Sequence, residues 1–216
     1  MKLEDSLQTI KGIGDKLYKL YNKLDLFCAE DLLFYYPRTY VRYPDEIASL
    51  SQTAELGEGE KAAFFITVNE SARSMKKGRM SLTFLSAFCG QIPVDMVWFQ
   101  SPYIKSSIKL HESYIFYGTV KKEGQNKIKL EQPIIFTTEK YQKQKDSLQP
   151  VYSITKGLTN NQIKKDVHTV LGETNLSDYL PKEIVQKRNL PQRTEAFSQI
   201  HFPRDFDSLR IARNRL

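Results

Sequence analysis

The sequence predicts an α+β chain: a five-stranded OB-fold β-barrel flanked by N- and C-terminal helical segments. Two observations carry that prediction. From Lys61 to Leu130 apolar residues alternate with a period of two, interrupted once by a short helix. Three strands, a helix and two more strands is the order of an OB-fold. On either side, the apolar residues recur at helical spacing instead. The expected organisation is therefore an N-terminal helical region over residues 1–46, the barrel over 47–149 and a helical linker over 150–216. The spacing itself gives a small all-β domain with one helix; closure into a barrel is inferred from the order.

A short helix is expected over residues 3–10, followed by Gly12-Ile13-Gly14. Leu17, Leu20, Tyr21 and Leu24 then fall at helical spacing, and residues 29–36 offer a second helix that ends ahead of Pro37. Gly-Ile-Gly between helices has the form of a helix-hairpin-helix turn, in which glycines bring backbone N–H groups toward a phosphate. A purely structural αα-hairpin accounts for it equally, and its acidic surroundings argue against phosphate binding. Tyr36-Pro37-Arg38-Thr39-Tyr40 reads as an extended exit.

Ala62, Phe64, Ile66 and Val68 alternate in the first expected strand, and Met80, Leu82 and Phe84 in the second. Between them, residues 73–79 form a basic hairpin carrying Arg73, Lys76, Lys77 and Arg79. The third strand covers 92–99, the short helix 101–109, and Tyr114, Phe116, Gly118 and Val120 mark the fourth. A turn at 121–126 containing Gly124 leads to Ile128 and Leu130 in the fifth. Residues 139–149 suit a linker or an exposed helix. Thr159 is placed to cap a helix whose Ile163, Val167, Val170 and Leu171 share a face. Another helix is expected over 194–200. The last, starting at Asp207, has no C-terminal stop signal, so the chain is expected to be a fragment of a longer one.

The stretch Trp98-Phe99-Gln100-Ser101-Pro102-Tyr103 stands out. Alternation puts Val94, Met96 and Trp98 on the core face, and Asp95, Val97 and Phe99 on the other. Ser101 is placed as a helix N-cap with Pro102 at the first helical position. Ile104 and Ile108 would then face inward and Tyr103 would lie on the flank. Phe99 and Tyr103 are candidates for an exposed aromatic platform with Trp98 as its structural support. The alternative, that both rings complete the core, stays open at this level.

The net charge of +7 is unevenly spread. Residues 1–60 carry a balance of −4, residues 61–149 one of +7 and residues 150–216 one of +4. A basic excess on the aromatic-bearing region suggests a polyanionic partner, although a solvated lysine-rich surface gives the same count. Phosphate contacts are expected, with less weight than the aromatics, from Arg73, Lys76, Lys77 and Arg79. There is no Gly-x-x-x-x-Gly-Lys-Ser/Thr loop and no dinucleotide fingerprint. His111, His168 and His201 lie in separate segments, and Cys28 and Cys89 lack metal-ligand spacing. No catalytic residue, metal site or bound cofactor is expected. With no long apolar run and no signal-peptide core, the reading is a cytoplasmic chain without a membrane partner.

Several motifs together resemble one family. Ile13-Gly14, Asp31-Leu32-Leu33 and Tyr36-Pro37-Arg38-Thr39-Tyr40 are similar to the opening of bacterial ATP-dependent DNA helicases of the RecG type. Trp98-Phe99-Gln100 and Tyr103 match the aromatic segment of the RecG wedge domain. Pro150-Val151-Tyr152 with Thr155-Lys156-Gly157-Leu158-Thr159 resembles the motif after the wedge. Ile200-His201-Phe202-Pro203 and Ala212-Arg213-Asn214-Arg215-Leu216 resemble the approach to the first helicase lobe and are the most specific part. The sequence departs from the family at Ala87-Phe88-Cys89-Gly90, within Leu110-His111-Glu112, and at Gln132-Pro133.

The resemblance implies a branched-DNA-binding wedge that splits strands at replication forks and Holliday junctions, for fork reversal and branch migration in repair and recombination. It implies that Phe99 and Tyr103 stack on unpaired bases. The motor would lie outside this chain, so ATP and Mg2+ belong to the parent helicase and the fragment alone is non-catalytic. Its expected partners are forks, three- and four-way junctions and the helicase lobes of the same chain, with a single-strand-binding protein as a further candidate, and the expected state is a monomer. The competing reading is a stand-alone single-stranded-DNA-binding or protein-interaction OB module.

Overall fold

The computed structural model of the protein describes residues 1–53, 56–123 and 127–216; the side chains of Leu50, Ser51 and Lys77 also lie outside the described set. The chain is mixed α+β and forms two compact units, residues 1–42 with 146–216, and residues 43–145. The terminal regions expected separately, 1–46 and 150–216, thus fall almost wholly in one unit. A short ladder explains how. Strand β1 (Thr39–Val41) pairs antiparallel with β9 (Gln149–Val151), Thr39 opposite Val151, so the chain segments leaving and re-entering this unit are zipped together.

Within that unit the helix expected at residues 3–10 contracts to a 3₁₀ turn, Leu7–Thr9, with Ser6 accepting from the Gln8 amide. Helices α1 (Asp15–Asn22) and α2 (Ala29–Phe34) follow. Thr159 caps α6 (Asn160–Glu173) by accepting from the Gln162 amide at 3.1 Å. Its Ile163, Val167 and Val170 pack fully buried against Leu32 and Leu33. Leu171 is only partly buried at the edge of this core. Two polar links run through it: Tyr21 donates to Asp166 at 2.5 Å, and His201 is held between Tyr152 and the Leu33 carbonyl, each at 2.8 Å. After α7 (Lys182–Lys187), α8 (Arg193–His201) and α9 (Phe206–Arg215) pack through Ala196, Ile200, Leu209 and Ala212.

The second unit has a seven-stranded sheet where five strands are expected, and no closed barrel is seen among its described residues. Its strands are β2 (Glu46–Ile47), β3 (Lys61–Thr67), β4 (Arg73–Lys77), β5 (Met80–Cys89), β6 (Ile92–Phe99), β7 (Ser113–Glu123) and β8 (Lys127–Thr137). They form a seven-stranded sheet in the order β2-β3-β7-β8-β6-β5-β4, and helices α3 (Leu50–Thr53) and α5 (Thr138–Lys145) belong to the same unit. The five inner strands keep the order an OB-fold requires, including the parallel β6–β8 pair, Val94 opposite Ile128. Their end strands are occupied otherwise. The two-residue β2 lies parallel to β3, and the edge of β5 is taken by β4. The basic segment 73–77 is thus itself a strand, and its turn is only Gly78-Arg79. Among the described residues no ladder joins β3 to β5. Leu85, Val94, Met96, Phe116 and Leu130 fill the core on one side of this curved sheet. Of the turn expected at 121–126, residues 124–126 lie outside the described residues.

Candidate nucleic-acid interface

Strand β6 follows its alternation except at Val97, which is on the Phe99 face and is nevertheless buried. Val94, Met96 and Trp98 are buried, with Trp98 only 3% exposed, and the indole Nε1–H of Trp98 donates to the Pro133 carbonyl at 2.8 Å. A tryptophan in a core needs a partner for that N–H, and this one has it. Phe99 points to the other face and is 37% exposed. Tyr103 is 65% exposed, while Ile104 and Ile108 are buried beneath it as their spacing predicts. No ring contact joins Phe99 to Tyr103 among the described residues. They line different grooves, Phe99 one of about 270 Å3 with Leu82 and Phe84, and Tyr103 one of about 390 Å3 with Gln132 and Pro133. The two rings are separate plates.

The turn between them is not the one expected. Helix α4 spans only Ile104–Ser107, and Ser101 does not cap it; the Ser101 hydroxyl donates back to the Phe99 carbonyl at 3.1 Å. The reason is Gln100, which takes a left-handed backbone conformation, φ +54°. That reversal follows directly on the last residue of β6, and the helix begins only at Ile104 rather than at Pro102. Ser101 is consequently inside the turn, where its carbonyl accepts from the Thr83 hydroxyl at 3.2 Å.

The same residue brings the basic hairpin and the aromatic segment together. The Gln100 amide N–H donates to the Ser81 carbonyl at 2.8 Å, and its side-chain Nε2 donates to the Arg79 carbonyl at 3.3 Å. Gly78 carries φ +61° at the first of the two turn positions, where a II′ hairpin favours glycine. Across the strands, Met75, Leu82 and Phe99 form one outward-facing row. Arg79 therefore lies at the Phe99 end of the hairpin. Arg73 lies at the far end, opposite Phe84, and sits 3.9 Å from Glu70. Lys76 is exposed beside the turn. The Lys77 side chain lies outside the described residues.

Ion pairing sorts the remaining cations. Lys121 pairs with Glu131 at 2.8 Å, Lys127 with Asp95 at 2.6 Å and Lys129 with Glu123 at 3.2 Å. Partial burial pushes the Asp95 carboxyl up, but the Lys127 ammonium and the Ser86 hydroxyl outweigh it and hold it below the usual carboxylate range. These lysines are neutralised locally. Lys76 and Arg79 have no such partner among the described residues, and the same holds for Lys105, exposed two residues beyond Tyr103. Sequence reasoning missed Lys105, whose signal is its place on the solvent flank of the aromatic helix. It also missed Gln100 and Gln132. Gln132 is left-handed too, φ +52°, and its Nε2 donates to the Phe99 carbonyl at 3.3 Å. Only the backbone reveals these two.

With this geometry in place, the chain can be compared with known proteins. The model of the RecG wedge domain matches residues 6–174, most of the chain. The chain belongs to the RecG wedge-domain family. Relatives include ATP-dependent DNA helicases RecG from Streptococcus pneumoniae, 27% identical over all of this chain, and from Bacillus subtilis, 27% identical over 98% of it. The RecG of Staphylococcus epidermidis is 24% identical over 96%. The chain spans about 30% of the length of these relatives. A solved structure of RecG bound to a three-way DNA junction shares the fold, with a TM-score of 0.85 and 24% identity over all of this chain and 29% of that one. In wedge-domain terms, a departure noted above has a structural meaning: His111 carries φ +64°, a glycine-type conformation. Its amide donates to the Val68 carbonyl at 2.8 Å, which holds the turn before β7.

Proposed function

We propose that this chain is the branched-DNA-binding wedge of a RecG-type helicase, an OB-type module that splits strands at replication forks and Holliday junctions during fork reversal and branch migration. One observation carries the reading: two exposed aromatic rings, Phe99 and Tyr103, are held on a buried Trp98 scaffold beside the unpaired Arg79. Base–aromatic stacking is worth roughly 1–3 kcal/mol per base whatever the sequence, and an adjacent cation can hold the phosphate of the same strand. Separate plates suit two strands parted at a branch point, one capped by each ring. ATP and Mg2+ act, in this reading, in motor lobes of the parent helicase, a cytoplasmic monomer, and the wedge itself hydrolyses nothing. Among the described residues no three His, Cys, Asp or Glu cluster as a metal site, and no helix is long and apolar enough to cross a membrane.

The test is a binding comparison of three- and four-way DNA junctions against duplex and single strands of equal length. Junctions should bind more tightly than either, and Phe99→Ala should remove most of that preference. Equal binding to junctions and single strands would favour a stand-alone single-strand-binding module instead. DNA-stimulated ATP hydrolysis by the chain alone would overturn the wedge reading.

A further inference from the structure

We propose that Gln100 is a positioning residue, a latch that fixes the basic turn Gly78-Arg79 against the aromatic segment. This rests on the wedge reading for its purpose and on geometry for its existence. Gln100 holds a left-handed backbone, φ +54°, which non-glycine residues adopt at a cost and in which asparagine is the residue ordinarily preferred over glutamine. Glutamine has one more methylene than asparagine. Here that methylene carries the side-chain amide to the Arg79 carbonyl, 3.3 Å away and 21 residues distant in sequence. The main chain of the same residue grips Ser81, two residues beyond Arg79. Gln100 thus holds the hairpin at two carbonyls flanking Met80, and no other side chain among the described residues hydrogen-bonds the Gly78-Arg79 turn.

The β4–β5 ladder ends at Lys77 opposite Met80, so the strands hold the Gly78-Arg79 turn only at its base, and a cation on it contributes to a specific contact only as far as its position is fixed. Arg79 is exposed, and its guanidinium has no partner among the described residues, so nothing on its own side chain fixes it. The Phe99 carbonyl, one peptide away, is held in turn by Gln132 and Ser101. The latch therefore connects the cation to the same rigid frame that holds the ring. An unpaired strand stacked on Phe99 meets an Arg79 side chain that starts from a fixed backbone position, so only that side chain, and not the turn, has to be ordered on binding.

The experiment uses Gln100→Asn and Gln100→Gly in the 216-residue chain, with Arg79→Gln and Phe99→Ala for comparison. Asparagine and glycine both tolerate the left-handed backbone, so both variants should fold with stability equal to or above that of the parent. Amide relaxation by NMR should show residues 78–80 becoming mobile on the fast timescale in both variants; unchanged order there overturns the latch whether or not DNA binds. On a three-way DNA junction, both should lose affinity several-fold, and the salt dependence of binding should flatten by about one phosphate contact. The double variant Gln100→Asn with Arg79→Gln should bind no worse than Arg79→Gln alone. Additive losses, or parental affinity in Gln100→Asn, overturn the positioning role. If instead Phe99→Ala binds junctions like the parent, the wedge reading fails, while the relaxation result still decides the latch.

Discussion

The indole N–H of Trp98 and the carbonyl of Pro133 meet at 2.8 Å, tying strand β6 to an irregular point of β8. At that point Gln132 and Pro133 together oppose the single residue Gly118, so β8 carries an extra residue there. A bulge re-aims the groups beside it. Here it places a carbonyl, which the regular ladder does not use, where the buried indole can reach it.

Trp98 is accordingly a stability residue. Trp98→Ala should destabilise the sheet unit by about 3–5 kcal/mol, as large-to-small core substitutions do. Trp98→Phe should cost less, about 1–3 kcal/mol, chiefly by leaving the Pro133 carbonyl unpaired. Urea unfolding followed by circular dichroism checks both. A Trp98→Ala chain as stable as the parent would remove the scaffold from under the proposed platform.

Phe99 and Tyr103 should behave in the opposite way. Tyr103 is largely exposed and Phe99 is covered over nearly two thirds of its surface, so Tyr103→Ala should change stability by less than about 1 kcal/mol and Phe99→Ala should cost about 1–2 kcal/mol, both less than Trp98→Ala. Each should weaken junction binding by roughly 1–3 kcal/mol, the value of one base stack. Because the rings line separate grooves, the two losses should add in the double variant. Strong non-additivity would mean that both rings meet one base, which the geometry does not suit.

What could be read from the sequence follows from which signals are periodic. The core face of β6 was legible because Val94, Met96 and Trp98 alternate without a break. Ile104 and Ile108 were legible from their separation, and the Thr159 cap from its place before an amphipathic run. Strands β1, β2 and β9 were not, because two or three residues carry no period to detect. The sixth and seventh strands of the sheet escaped for related reasons: β2 is that short, and β4 reads as charge rather than as alternation. The Ser101 cap failed because a left-handed glutamine has no sequence signature; glycine or asparagine at position 100 signals such a turn, and glutamine does not. The same blindness hid the link between Arg79 and Gln100.

Gly118 supplies a test of the bulge. A Cβ built there lies 3.2 Å from the Pro133 Cβ and 3.3 Å from its Cα, and a proline ring fixed in a strand has little room to retreat. Gly118→Ala should therefore destabilise the sheet unit by about 1–3 kcal/mol, the usual cost of overpacking. Displacing Pro133 also lengthens its bond to Trp98, so near-ultraviolet circular dichroism of the single tryptophan should change in parallel. Parental stability with an unaltered tryptophan signal would show that the bulge is more pliable than its contacts suggest.

His201 gives the other unit a pH dependence whose sign is fixed by its partners. Its Nε2 faces the Leu33 carbonyl, which can only accept, so Nε2 carries the proton and Nδ1 accepts from the Tyr152 hydroxyl. The ring is buried and neutral, and protonating Nδ1 would place a charge in the core and turn the Tyr152 hydroxyl from donor to acceptor. Burial lowers its pKa from 6.5 to about 4, although the bond to Leu33 works in the opposite direction. The unfolded chain therefore binds this proton first as pH falls. The stabilising contribution of the neutral ring is complete above about pH 6.5 and is lost progressively down to about pH 4, reaching about 3 kcal/mol. Ring-proton NMR should show no titration of His201 between pH 8 and about pH 5 in the folded chain, while the unfolding free energy of its unit falls over the acid half of that range. A folded-state midpoint near 6.5 would mean that the Tyr152–His201–Leu33 chain opens to solvent and carries no such dependence.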